Sequence, residues 1–140
     1  MVSISVFSRA HRALSGMARF RFLRDEKDLA AYRQRYDTAL LGEPIGIYSN
    51  PVSGQPETIL VAERGLVAIR AGNMQQIQFD ELRGIQGPHT KSDASRITLT
   101  LRSGNVVNLD ILGRDGKFQD VFGFLRFLAR VMEDQSRPHA

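Results

Sequence analysis

The sequence predicts a mainly β, α+β fold: a seven-stranded antiparallel barrel closed by a C-terminal helix, with another helix ahead of the strands. Three observations carry that prediction. Between residues 44 and 112 apolar side chains recur with a period of two, the pattern of strands with one buried face. Gly, Pro, Asn and Ser interrupt the pattern every roughly 8–12 residues, a spacing that suits a barrel or sandwich and leaves no room for helical crossovers. Beyond residue 117 the period lengthens to that of an amphipathic helix. The 140 residues, 42% of them hydrophobic, match the roughly 100–150 residues of one domain with one core.

The chain reads as four parts: a basic leader (1–24), an N-terminal helix (25–42), the β-rich domain (43–134) and a polar tail (135–140). The leader holds Arg9, Arg12, Arg19, Arg21 and Arg24 and no acid, leaving 14 basic residues against 15 acidic ones in the rest. The folded part is therefore near neutral, which argues against nucleic-acid binding, because phosphate contacts need clustered cations. Phe7, Ala10, Leu14 and Met17 follow a loose helical spacing. Four readings stay open: an organellar import segment, a helix on an anionic membrane surface, a mobile basic leader, or residues upstream of a true start at Met17. Arg9, Arg12, Arg19 and Arg21 are the candidate lipid-facing residues. The Arg19-Phe20-Arg21-Phe22 alternation also permits a short strand.

Residues 26–41 predict a helix. Asp25 can cap its start, acids crowd its first turn, and Gly42 with Pro44 stops it. Leu29, Tyr32, Tyr36 and Leu40 form its apolar stripe.

Seven strands are expected at 44–49, 57–63, 66–71, 74–79, 82–86, 96–102 and 105–112. In the last hairpin, same-face pairing places Leu101 opposite Val107, Leu99 opposite Leu109 and Ile97 opposite Ile111. The loop is then Ser103-Gly104-Asn105, with Gly104 or Asn105 at positive φ. In the second and third strands, a turn at Arg64-Gly65 pairs Ala62 with Val67 and Leu60 with Ile69. The other face shows Ile59, Val61 and Ala68, too apolar to stay wet, and helix 26–41 is the nearest cover.

The final helix is expected over 118–133. Phe118, Val121, Phe122, Leu125, Leu128, Ala129 and Met132 form its core-facing arc. Phe124, Phe127 and Val131 fall on a flank beyond that arc.

This element order, and the detail of residues 57–128, resemble bacterial PH-like domains. Ile59-Leu60-Val61-Ala62-Glu63-Arg64-Gly65-Leu66 is similar to their second-to-third strand hairpin. Ile77-Gln78-Phe79-Asp80-Glu81-Leu82-Arg83-Gly84-Ile85 resembles the following corner, and Ile97 to Ile111 the closing hairpin. The resemblance implies a PH-like scaffold that binds proteins, peptides or lipid headgroups. Lipid-binding members carry basic residues around the first hairpin loop; here Ser49 to Pro56 has none. PH-like relatives often take extended peptides between the fifth strand and the last helix. In this chain Arg83, Ile85, Phe124, Phe127 and Val131 would wall that groove, with intramolecular cover of the last three by the N-terminal segment as the alternative.

The chemistry-bearing residues point away from catalysis. Without cysteine there are no disulfides, thiolate nucleophiles or cysteine metal ligands, and a reducing compartment suits the chain. His11, His89 and His139 lack metal-ligand spacing. His89, Lys91 and Asp93 share a loop that is readily explained as a solvated turn. Asp80 and Glu81 are chain neighbours whose side chains diverge, whereas a general acid and base must converge. Phosphate-binding glycine motifs are absent from the sequence. The expectation is a non-enzymatic, cofactor-free, cytoplasmic interaction module whose partner is another protein or peptide, or a second copy. The alternative is peripheral association with an anionic membrane through the leader.

Overall fold

The computed structural model describes residues 6–17, 19–50, 57–70, 73–87, 96–111 and 119–136. The first hairpin loop beyond Asn50, the loop with His89, Lys91 and Asp93, and Phe118 lie outside the described residues. The described residues form an α+β fold, with eight mostly short antiparallel strands and a C-terminal helix. The described strands pair as a five-stranded and a three-stranded sheet; no closed barrel is seen among them. The chain divides into two compact units. One is Ser15–Gln78; the other combines the described parts of Met1–Leu14 and Phe79–Ala140.

The continuous unit holds β1 (Phe20–Phe22), α2 (Glu26–Arg33), α3 (Thr38–Leu41), β2 (Pro44–Asn50), β3 (Glu57–Ala62), β4 (Gly65–Arg70) and β5 (Asn73–Gln78). Its sheet runs in the order β1-β2-β3-β4-β5. The permitted strand at Arg19–Phe22 forms as β1, with Phe20 opposite Tyr48 and Phe22 opposite Gly46. Gly46 lacks the Cβ that would strike the Phe20 ring.

The predicted 26–41 helix breaks in two. Asp25 caps α2 by accepting from the Lys27 amide. Asp37 then accepts from the amides of Ala39 and Leu40 and starts α3 afresh. A side chain that satisfies helix-start donors inside a helical stretch competes with continuation. Arg64 closes the other end of α3: its amide donates to the Leu41 carbonyl, and its guanidinium to the carbonyls of Leu40 and Ala39. These contacts tie the helices to the β3–β4 turn.

That tie sets which face they cover. Leu23, Tyr36 and Leu41 pack with Ile47, Leu60, Ala62 and Val67 in one cluster, joined by Leu29, Tyr32 and Ile69. The helices therefore cover the Leu60–Val67 face and not the Ile59–Val61–Ala68 face expected from the sequence. Ile59 and Val61 are buried as well. Leu40, counted in the apolar stripe, is exposed, and Leu41 is buried instead.

The β3–β4 hairpin pairs Leu60 with Val67 and Thr58 with Ile69, two residues away from the expected pairing. The turn falls at Glu63-Arg64, and Gly65 enters β4. A side chain at Gly65 would drive into the Ile77 carbonyl and the Leu41 methyl, so this glycine is where β5 and α3 close on β4.

The discontinuous unit holds α1 (Val6–Leu14), a 3-10 turn at Phe79–Glu81, β6 (Leu82–Gln86), β7 (Arg96–Leu101), β8 (Val106–Asp110) and α4 (Gln119–Ser136). Its sheet order is β6-β7-β8. The closing hairpin pairs Leu99 with Val107 and Ile97 with Leu109, again two residues from expectation. The Leu101 amide donates to the Asn105 carbonyl and the Gly104 amide to the Leu101 carbonyl, which makes the loop Arg102-Ser103-Gly104. Gly104 takes the left-handed position at φ +94°. A two-residue slip preserves faces, so Ile97, Leu99, Leu101, Val107, Leu109 and Ile111 are all buried as expected.

Residues 6–14 are not a free leader. They fold as α1 and pack on α4, with Ala10 and Leu14 fully buried. α4 consequently has neighbours on two sides, since it also packs on the 3-10 turn, β6 and β7.

Candidate functional site

β6 and α4 frame a groove of about 480 Å³ in the discontinuous unit. β6 is an edge strand: among the described strands it pairs only with β7. Its ladder shifts register between Leu82 and Gly84, and Arg83 within the shift is exposed. Such an irregularity re-aims a side chain at a sheet edge. Arg83 and Ile85 line one wall of the groove. Ala129, Met132, Glu133 and Gln135 line the other, with Phe79 and Leu82 beneath. Arg102 enters from the β7–β8 loop, steadied by its Nε donating to the Asp80 carbonyl at 2.8 Å and its amide to the Glu81 carbonyl at 2.7 Å. Just past β6, Gly87 comes close to α4: an added Cβ would meet Leu125 Cδ1 at 2.6 Å. An apolar floor under a rim of Arg83, Arg102 and Glu133 suits a segment with alternating apolar and polar side chains.

Two of the five residues expected to bind a partner, Arg83 and Ile85, reach this groove. The other three do not. Phe124 and Phe127 have no accessible surface and Val131 is 1% exposed. Phe127 meets Phe79 edge-on at 6.1 Å and Phe124 edge-on at 6.0 Å, so an aromatic column pins α4 to the 3-10 turn. The expected core-facing arc runs through Phe122, Leu125, Ala129 and Met132, with cover of Phe124, Phe127 and Val131 by the N-terminal segment as the alternative; α1 packs on α4, and all three are buried. With α1 also present, the helix turns its two largest buried rings inward and leaves Phe122 57% exposed. Ala129, Met132 and Arg102 are the groove residues that the sequence reading missed. Ala129 and Met132 were assigned to the core, and Arg102 looked like a strand end.

The four candidate lipid-facing arginines divide. Arg9 and Arg12 lie on α1 and line a second groove, of about 250 Å³, with Ala13, Arg126, Phe127 and Arg130. Arg9 is held by Asp134 through two hydrogen bonds of 2.9 Å, which raise its pKa further above its ordinary value. Arg21 pairs with Asp28 at the surface, and the Arg19 carbonyl accepts from the Ser49 amide. Neither Arg19 nor Arg21 lines the second groove.

Asp80 and Glu81 sit in the 3-10 turn, where their carbonyls serve Arg102. Among the described residues no group of three His, Asp or Glu is placed to hold a metal, and no helix is long and apolar enough to cross a membrane.

Neither protein-family models nor curated proteins match this sequence. A search of solved structures finds a likeness to inner membrane complex sub-compartment protein 3 of Toxoplasma gondii, with a TM-score of 0.46 and 11% identity, covering 83% of this chain and 91% of that one.

Proposed function

We propose that this chain is a PH-like, non-enzymatic interaction module that takes an extended peptide of a partner protein between β6 and α4. The observation that carries the proposal is the outer edge of β6, unpaired among the described strands and open onto a groove of about 480 Å³. An added strand would satisfy the β6 backbone groups by main-chain hydrogen bonds. Alternate side chains of that strand would fall on Ile85, Ala129 and Met132. The others would meet the rim of Arg83, Arg102 and Glu133, which favours a peptide with at least one acidic residue. The PH-like reading is supported by the element order, antiparallel sheets followed by a helix. The cysteine-free sequence suits the cytoplasm, where we place the module.

A peptide library selected on the folded protein tests this. Selected peptides should shift the amide resonances of β6 and lose about tenfold or more in affinity with Met132→Asp, as loss of an apolar anchor does. Val106→Asp, on an exposed strand position away from the groove, should leave them unchanged. Peptides that bind Met132→Asp normally, or that shift β2–β5 instead, would refute the proposal. Concentration-dependent self-association abolished by Met132→Asp would make a second copy the occupant.

A further inference from the structure

The groove between α1 and α4 has no part in peptide capture. It concentrates four guanidinium groups on facing helix flanks: Arg9 and Arg12 on α1, Arg126 and Arg130 on α4. Arg9 and Arg12 stand three residues apart, Arg126 and Arg130 four. At both spacings like charges are neighbours on a helix surface and destabilise it. α1 offers no acid in its first turn to offset this.

Among the described residues, the acids paired with these arginines are Asp134 and Glu133, both on α4. Asp134 takes Arg9 in a two-pronged pair, and Glu133 takes Arg130 at 3.2 Å. Arg12 and Arg126 are left exposed, and their guanidinium groups make no hydrogen bond or ion pair among the described residues. Two unmatched cations thus face one small cavity, whose floor is the buried Phe127 and the half-buried Ala13. A low-dielectric floor of this kind strengthens any charge pair formed above it.

We propose that this groove binds a phosphomonoester, with Arg12 and Arg126 as its principal ligands. Three features select that class. The unmatched charge suits an anion of about −1.5 to −2, the charge of a phosphomonoester near neutral pH. Each guanidinium presents paired N–H donors that match two oxygens of a tetrahedral oxyanion. The volume, about 250 Å³, lies below the roughly 300–1,000 Å³ of sites for larger organic ligands. The Arg9–Asp134 pair would hold α1 and α4 in place while the other two arginines engage the anion.

The test uses the full chain at low ionic strength. Titration with inorganic phosphate should shift the Arg12 and Arg126 Nε–H resonances saturably. Arg12→Gln and Arg126→Gln should each weaken binding about tenfold, as loss of a charge-assisted contact does. Lys27→Gln, an equal loss of charge on exposed α2, should leave binding unchanged. Equal weakening by Lys27→Gln and Arg126→Gln, or shifts that never saturate, would overturn the proposal. Phosphatidylcholine vesicles doped with phosphatidic acid identify the source. Binding that inorganic phosphate competes away, and that Arg126→Gln abolishes, makes the phosphomonoester a lipid headgroup. Saturation by phosphate without vesicle binding makes it a small soluble phosphate.

Discussion

Arg9 and Asp134, 125 positions apart in the chain, form a two-pronged ion pair in which Nε and Nη2 each donate to one carboxylate oxygen at 2.9 Å. Their side chains are 10% and 18% exposed, so the pair is shielded from most of the solvent that weakens surface salt bridges. It fixes α1 against the C-terminal turns of α4. Replacing Asp134 with Ala strands a largely covered guanidinium and should cost about 1–3 kcal/mol in denaturant unfolding. The pair of Arg130 and Glu133, with both side chains more than half exposed, provides the contrast: Glu133→Ala should change stability by less than about 0.5 kcal/mol.

Phe127 has no accessible surface and touches the rings of Phe79 and Phe124. Phe127→Ser should therefore destabilise by about 3–5 kcal/mol, the cost of truncating a core aromatic, and not the small loss expected of a half-exposed position. Phe122→Ser, at a position 57% exposed, should stay within about 1 kcal/mol. Thermal unfolding of the two variants side by side reads the difference.

Tyr36 donates its hydroxyl to the Gly42 carbonyl at 2.6 Å, and burial pushes its pKa up to about 12. The fold favours the neutral phenol, while the unfolded chain releases the proton near its ordinary value of about 10. The contribution is complete below about pH 10 and is lost as pH rises toward 12, by roughly 2–3 kcal/mol in all. Tyr36→Phe should cost about 1 kcal/mol at neutral pH by leaving the Gly42 carbonyl without its donor. The stability gap between wild type and Tyr36→Phe should then close or reverse between pH 10 and 12.

Two glycines separate close packing from open space. Gly65→Ala would force the added methyl into the Ile77 carbonyl and Leu41, at about 1–3 kcal/mol or more. At Gly84, on β6, a Cβ would meet nothing within 4 Å. Gly84→Ala should be neutral or slightly stabilising, because alanine restricts the unfolded chain. Urea midpoints of both variants check this.

The residues explain how much of this was legible in advance. Strand ranges and buried faces could be read because period two assigns every side chain to a face: Ile97, Leu99, Leu109 and Ile111 went to the core as expected. Partner assignment could not. A shift of two residues keeps all faces, and the choice at β3–β4 depends on Gly65 lying against Ile77, a contact invisible in the local pattern. α4 has more apolar positions than one face can bury, so its orientation depends on what packs beside it. That neighbour is α1, whose helical spacing through Phe7, Ala10 and Leu14 was legible, while the surface on which Ala10 and Leu14 are buried was not. The choice of arc on α4 also kept Met132 and Ala129 out of the expected groove, whereas Arg83 and Ile85 do line it.

The discontinuity of one unit has a consequence for the protein as it is made. Ser15–Gln78 is an uninterrupted segment whose hairpins join near neighbours, so it can close while later residues are still being added by the ribosome. α1 is synthesised before it, yet α1's packing partner α4 emerges only after the described strands. Until then Ala10 and Leu14 lack the α4 surface on which they pack, and a nascent-chain-binding factor would find an amphipathic basic segment exposed. Completion of α4 ends that window, and Asp134 closing on Arg9 marks the moment the first helix stops being available.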